Sequence, residues 1–214
     1  MTATDKPSDG PWGLMARLGP PSPPKAVAGA FVPTDQQCFD LWDRFDMLPH
    51  IREHSLVVAG VATSLAGLAK ERGLTVNVQM IRASALLHDI AKTYTIRYGG
   101  NHSQLGGAWA QDLTGNPWLA MGIVHHVHWP WDIDVKTYFL PMAILYADKR
   151  VRHERVVSLG ERFEDLYSRY GTTEYMRSRL TQSMDQARAI ETALSQTLGT
   201  NLHEDSFDSG RLVE

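Results

Sequence analysis

Two adjacent metal-binding side chains, His88 and Asp89, close the apolar run in Leu86-Leu87-His88-Asp89-Ile90-Ala91-Lys92, and a lysine follows within one helical turn. An imidazole beside a carboxylate suits a divalent cation, and an ammonium above such a centre suits a phosphoryl oxygen. The stretch therefore points to metal-assisted phosphate chemistry. Further candidate ligands stand far apart along the chain: His54 upstream, then His102, His126 and Asp148 downstream, in the order H…HD…H…H…D. Nitrogen and oxygen donors together are compatible with Fe, Mn, Co, Ni, Zn or Mg, which the sequence does not distinguish, and the lack of a thiolate among them argues against a structural zinc finger. Neighbouring residues project about 100° apart on a helix, so His88 and Asp89 reach one centre only where several helices cross. The candidates outnumber the ligands of one tetrahedral ion. Two divalent ions ~3.5 to 4 Å apart, with an activated hydroxide between them, are the economical expectation.

A lone histidine on an apolar helix face is more often a hydrogen-bonded core residue than a ligand. The combination is different. A carboxylate inside Ala143-Ile144-Leu145-Tyr146-Ala147-Asp148 and several imidazoles in apolar helices would each need a separate partner, because an unpaired buried charge is costly. A common metal serves them all.

The elements that must position these groups read as helices. Thr34 or Asp35 caps a first helix with Cys38, Leu41, Trp42 and Phe45 on one face. Pro49 separates it from a second, about His50 to Arg72, closed by Gly73, with His54 near the face of its apolar stripe. The third runs from about Asn77 to Leu87, and Gly99-Gly100 interrupts the chain before helices His102 to about Leu113 and Pro117 to about His126. Phe139 to about Val151 carries Asp148, Ser158 with Glu161 makes a capping box for a helix to Tyr170, and Thr173 to about Leu198 forms the last helix. No segment alternates long enough to demand a strand, so the fold class is all-α. The organisation expected is a Pro/Gly-rich arm over 1–33, one helical domain over 34–200 and a tail over 201–214.

At 214 residues and 43% hydrophobic, the chain is sized for one core. A formal charge of −3 offers no general attraction to nucleic acid or to an anionic membrane. The single cysteine, Cys38, rules out an internal disulfide framework and suits the cytoplasm. No run approaches the ~20 apolar residues that span a bilayer. In the arm, Trp12, Leu14, Met15, Leu18 and Phe31 leave room for packing on the domain or on another subunit, so a homo-oligomer is among the expectations.

The ordered elements "REHSLVVAGVA", "ALLHDIAK", "NHSQLGG", "GIVHHVHW" and "ILYADKRV" resemble the HD superfamily of metal-dependent phosphohydrolases over roughly residues 50 to 170. The resemblance implies a compact HD-type helical bundle with its metal site at the helix crossing. It also implies His54, His88, Asp89 and Asp148 as the shared ligand set with Asp89 bridging, and His102 and His126 as the added histidines of dinuclear branches. Among those branches the chain is most similar to bacterial hydrolases of symmetrical dinucleoside tetraphosphates, while "ADKRV…SLGERF" resembles a less characterised group of small bacterial HD proteins.

Several neighbours carry two readings. His126, rather than His125, follows Leu119 and Ile123 at helical spacing and is the chosen ligand; His128 lies past the helix end, facing substrate, donating a proton, or simply exposed. Lys92, three residues after Asp89, either neutralises a phosphate oxygen or is a solvated lysine. Lys149 and Arg150 flank Asp148 for phosphate contact or structural ion pairing, Arg150 being the better phosphate donor. Trp129 and Trp131 either stack on a base or cap the core. Glu53 either orients a ligand or a water or belongs to a charged surface, and His50, His153 and His203 match no motif position and read as surface residues. The function expected is hydrolysis of a small nucleotide phosphoester or phosphoanhydride, possible substrates including a dinucleoside polyphosphate. The alternatives are an HD-fold di-iron oxygenase and a non-catalytic nucleotide or metal sensor.

Overall fold

The computed structural model describes residues 19–25 and 27–203. Helix α1 spans Asp35–Arg44, and Thr34 caps it reciprocally with Gln37. It is followed by α2 (Pro49–Glu71) and α3 (Val78–Leu87), which pack along one another. Arg52 of α2 locks the first corner by donating to the Met47 and Trp42 carbonyls at 2.7 and 3.2 Å. Next come the short α4 (Lys92–Tyr98), then α5 (His102–Thr114) and α6 (Pro117–His125), which pair with each other.

Helix α7 (Phe139–Lys149) is apolar all round up to its last turn, and every one of its residues is buried. Such a helix belongs in the middle of a core. It is enclosed by α2, α3, α6 and α9 (Glu174–Leu198), with α8 (Leu159–Tyr170) lying against α9. The capping box of Ser158 and Glu161 starts α8 as the sequence indicates. Gly122 lets α6 approach α7 closely, since a Cβ there would lie 2.4 Å from Leu140 Cδ2.

Two elements escape sequence reading. Helix α4 has no side-chain cap, and what holds it is tertiary: Thr93 Oγ1 accepts the Leu48 amide at 3.0 Å, tying α4 to the start of α2. Instead of the helix continuing to Val151, the chain leaves α7 at Lys149 and makes a hairpin. Strand β1 (Val151–Arg152) pairs antiparallel with β2 (Arg155–Val156). Its turn carries His153 at φ 56°, a conformation that needs a reason in a residue other than glycine.

The described part of the Pro/Gly-rich arm lies on the domain: Trp118 Nε1 donates to the Pro24 carbonyl at 2.9 Å and Tyr138 Oη to the Pro21 carbonyl at 3.0 Å. Trp12, Leu14, Met15 and Leu18 fall outside the described residues. At the other end, Leu202 is fully buried. Among the described residues no helix is long and apolar enough to cross a membrane.

Candidate metal centre

His88 caps the end of α3, and the chain then turns through bonds of three-residue reach, Ile90 N to Leu87 O (3.1 Å) and Lys92 N to Asp89 O (2.9 Å), before α4 begins. This tighter turn replaces a continued α-helix and lets adjacent side chains enter one space. His54 comes from the first turns of α2, His102 from the first residue of α5 directly after its Asn101 cap, His126 from the end of α6, and Asp148 from the end of α7. Gly99 and Gly100, at φ 78° and 106°, make the reversal that returns the chain to His102.

All six converge. His54, His88 and Asp89 offer ligand atoms within 4.8 Å of one another, and so do Asp89, His102 and His126. Asp89 belongs to both groups: Oδ2 lies 3.4 Å from His88 Nε2, while Oδ1 lies 3.3 Å from His102 Nε2 and 3.7 Å from His126 Nε2. Asp148 Oδ1 completes the first group, 3.0 Å from His54 Nε2 and 3.8 Å from His88 Nε2.

Three imidazoles are oriented from behind by carbonyls. His88 Nδ1 meets the Ala85 oxygen at 2.7 Å, His126 Nδ1 the Ile123 oxygen at 2.7 Å, and His54 Nδ1 the His153 oxygen at 3.1 Å. A carbonyl only accepts, so each Nδ1 donates and each Nε2 is left to present a lone pair to the centre. That explains the unusual backbone of His153, whose carbonyl is turned toward His54. His88 Nε2 and Asp89 Oδ1 are buried without a hydrogen-bond partner. Lone pairs gathered around ionised oxygens repel unless a cation lies between them, so the donor set fits a divalent metal.

The electrostatics agree. Burial would raise the pKa values of Asp89 and Asp148, but their neighbours, His88 and Lys92 for Asp89 and Lys149 and the hydrogen bond from His54 for Asp148, hold both well below the usual carboxylate range. Burial, reinforced by His88, pushes His126 well below the ordinary imidazole value, and burial also lowers His102. Burial opposes protonation of His88, yet Asp89 and Asp148 outweigh it and raise its pKa, so the two carboxylates draw a cation to His88 Nε2, a place that a divalent ion would take from a proton.

The profile of the HD domain matches residues 51–166, more than half of the 214-residue chain. The chain belongs to the HD domain family. HD domains are a superfamily of metal-dependent phosphohydrolases, and the two histidine–aspartate groups are where this one could hold a metal. Over 78 residues, 36% of this chain and 45% of the relative, the HD protein is 32% identical to an uncharacterized protein of Methanocaldococcus jannaschii. The chain thus spans less than half the length of that relative. No solved structure matches it.

Lys92 stands beside the cluster with Nζ 2.6 Å from Asp89 Oδ2. A cleft of about 810 Å³ opens onto His54, Asp89, Lys92 and His102. Neither Arg150, His128 nor Trp129 lines it. Arg150 is buried, donating to the Val157 and Leu202 carbonyls at 2.7 and 2.8 Å and facing Glu191 at 3.6 Å, so of its two readings the structural ion pair describes it. Trp129 is buried too, its backbone amide and carbonyl clipped by Gln186 at 3.0 and 2.6 Å, and it therefore caps the core rather than a base. His128 faces α9 near Arg179 and Gln186. Glu53 is exposed on α2 and does not line the cleft. His50 and His153, which match no motif position, do line it. His203 instead pairs with Glu191 at 2.8 Å.

His125 packs against Trp129 and Trp131 at 5.2 Å ring separations, away from the cluster that receives His126. Burial pushes its pKa down to about 4. An unfolded histidine takes up a proton near pH 6.5, which the fold refuses until about pH 4, so this contribution to stability is complete above the upper value and drains away as pH falls through the window. His125→Gln is expected to remove that loss. Between pH 7 and pH 4 the variant should gain roughly 2 to 3 kcal/mol relative to wild type in denaturant unfolding; parallel pH profiles would contradict the assignment.

Proposed function

We propose that this HD protein is a metal-dependent phosphohydrolase acting on a nucleotide phosphoester or phosphoanhydride, with a pair of divalent ions sharing Asp89. The observation that carries the reading is the doubled donor set: two groups of buried ligand atoms with one carboxylate in common. His54, His88 and Asp148 would hold one ion with Asp89, and His102 and His126 the other. Such ions supply Lewis acidity, activating water near neutral pH and drawing charge from a phosphoryl oxygen.

The remaining work falls to the chain's own residues. Lys92 is protonated, because Asp89 and Asp148 outweigh the burial that would lower its pKa and raise it instead. It therefore serves as a cation that binds a phosphoryl oxygen and accepts no proton at neutral pH. Ile51 and Leu166 give the cleft dry walls, while the exposed Ile96 and Tyr170 on its rim offer an apolar and aromatic face to a nucleobase. The test is a panel of dinucleoside polyphosphates, nucleoside monophosphates and cyclic phosphodiesters offered to protein loaded with Mn²⁺, Co²⁺ or Fe²⁺. Phosphate or nucleotide release from at least one compound, lost on chelation, is expected. If every compound is left intact with every metal, the hydrolase reading is wrong.

A further inference from the structure

Beyond His54 and His153, the cleft is walled by the hairpin and α8, and this wall carries Arg152, Arg155, Arg162 and Arg169. Three of them share a single carboxylate. Asp165 Oδ1 lies 3.5 Å from Arg152 Nε, and its Oδ2 lies 3.5 Å from Arg162 Nη1 and close to Arg169 Nη2. Residues 162, 165 and 169 are spaced to lie on one face of α8, so the helix itself holds this arrangement. Each guanidinium has five donors, and one carboxylate answers few of them. Arg162 Nε is buried with no hydrogen-bond partner, in a side chain only 12% exposed. The acids on the wall offset it only in part: Glu161, engaged with the Ser158 amide at 3.1 Å, also feels Arg152 and Arg155, and Glu154 is exposed on the hairpin turn, so with Asp165 three carboxylates face four guanidiniums.

Arg162 also connects the two ends of the cleft, for it lines the same cavity as Lys92. A line of cations thus runs from Lys92 at the metal groups through Arg162 to the arginine wall. A buried donor left unused beside an excess of positive charge is what an oxyanion with several acceptors relieves, and guanidinium forks match phosphate oxygens two at a time.

We propose that Arg152, Arg155, Arg162 and Arg169 form a second anion subsite of the cleft, which selects substrates carrying a further phosphate beyond the one attacked, phosphoanhydrides or bisphosphates in preference to phosphomonoesters. The inference rests on the phosphohydrolase reading for the word substrate, but the subsite is testable by binding alone. Calorimetric titration of the metal-loaded full chain with inorganic phosphate and with methylenebisphosphonate provides the comparison. Arg162→Gln is expected to weaken methylenebisphosphonate about tenfold while phosphate affinity stays within about twofold, the loss typical of one charge-assisted contact. Arg155→Gln, on the exposed hairpin where the fold is indifferent to it, should act in the same sense, and thermal unfolding checks that Arg162→Gln remains folded. Unchanged methylenebisphosphonate affinity in both variants, or equal weakening of the two probes, overturns the subsite. Turnover of the panel with either of those results would leave the hydrolase standing without the subsite; selective weakening without any turnover would leave the subsite and remove the hydrolase.

Discussion

Asp89→Ala is expected to empty the protein of metal and to abolish hydrolysis. Asp89 is the one side chain common to both donor groups, and its two oxygens face different histidines. Removing it would take a ligand from each of the two proposed ions at once. It also leaves Lys92 without the anion that offsets its charge, at a position only 1% exposed. Losing an anionic ligand from both ions should lower metal content to about a tenth of wild type or less, and catalysis by at least about a thousandfold, since no other charged group can take the place of the ions. Elemental analysis of the purified variant, with circular dichroism to confirm its helices, checks this. A variant that keeps its full metal content would show that Asp89 is an ordinary core carboxylate paired with Lys92.

Lys92→Met should separate binding of the metal from use of it. The ammonium touches Asp89 Oδ2 at 2.6 Å and reaches the cleft with 40% of its side chain exposed, so it borders the ligands without belonging to them. Loss of one preorganised positive donor to a developing phosphoryl charge costs about 10²- to 10³-fold in kcat. Metal content should be unchanged. Because its pKa is raised, Lys92 stays an ammonium at neutral pH and gains no role as a base. Lys92→Arg, which keeps the charge on a different fork, should recover part of the rate. Steady-state kinetics with the best substrate of the panel decides it: activity within twofold of wild type would reduce Lys92 to a partner of Asp89.

How much of this was legible depended on how local the cause is. The capping box of Ser158 with Glu161 involves neighbours three residues apart and starts α8 where the sequence puts it, and of the two caps the sequence offered for α1, Thr34 and Asp35, the structure uses Thr34. The preference for His126 over His125 used a helical face defined by Leu119 and Ile123, and the structure turns His126 inward and His125 onto the tryptophans. The fate of Arg150 was not legible, because its partners Glu191 and Leu202 lie on segments that no local pattern connects to α7. Trp129 was ambiguous for the same reason: Gln186, which decides it, is on the last helix. Helix α4 contains Thr93, Thr95 and Ile96, whose branched side chains disfavour helix, and it is held by its contact with Leu48. The hairpin is too short for alternation to register, and with it the His153 carbonyl behind His54 and the arginine wall stayed hidden.

Anomalous diffraction from crystals of wild-type protein, purified without chelator and loaded with Mn²⁺ or Fe²⁺, would examine the shared-carboxylate centre itself. Two peaks ~3.5 to 4 Å apart are expected on either side of Asp89, one among His54, His88 and Asp148 and the other beside His102 and His126. An absence of anomalous density there, with the imidazoles closed on one another through protons, would contradict the metal-dependent function proposed for this HD domain.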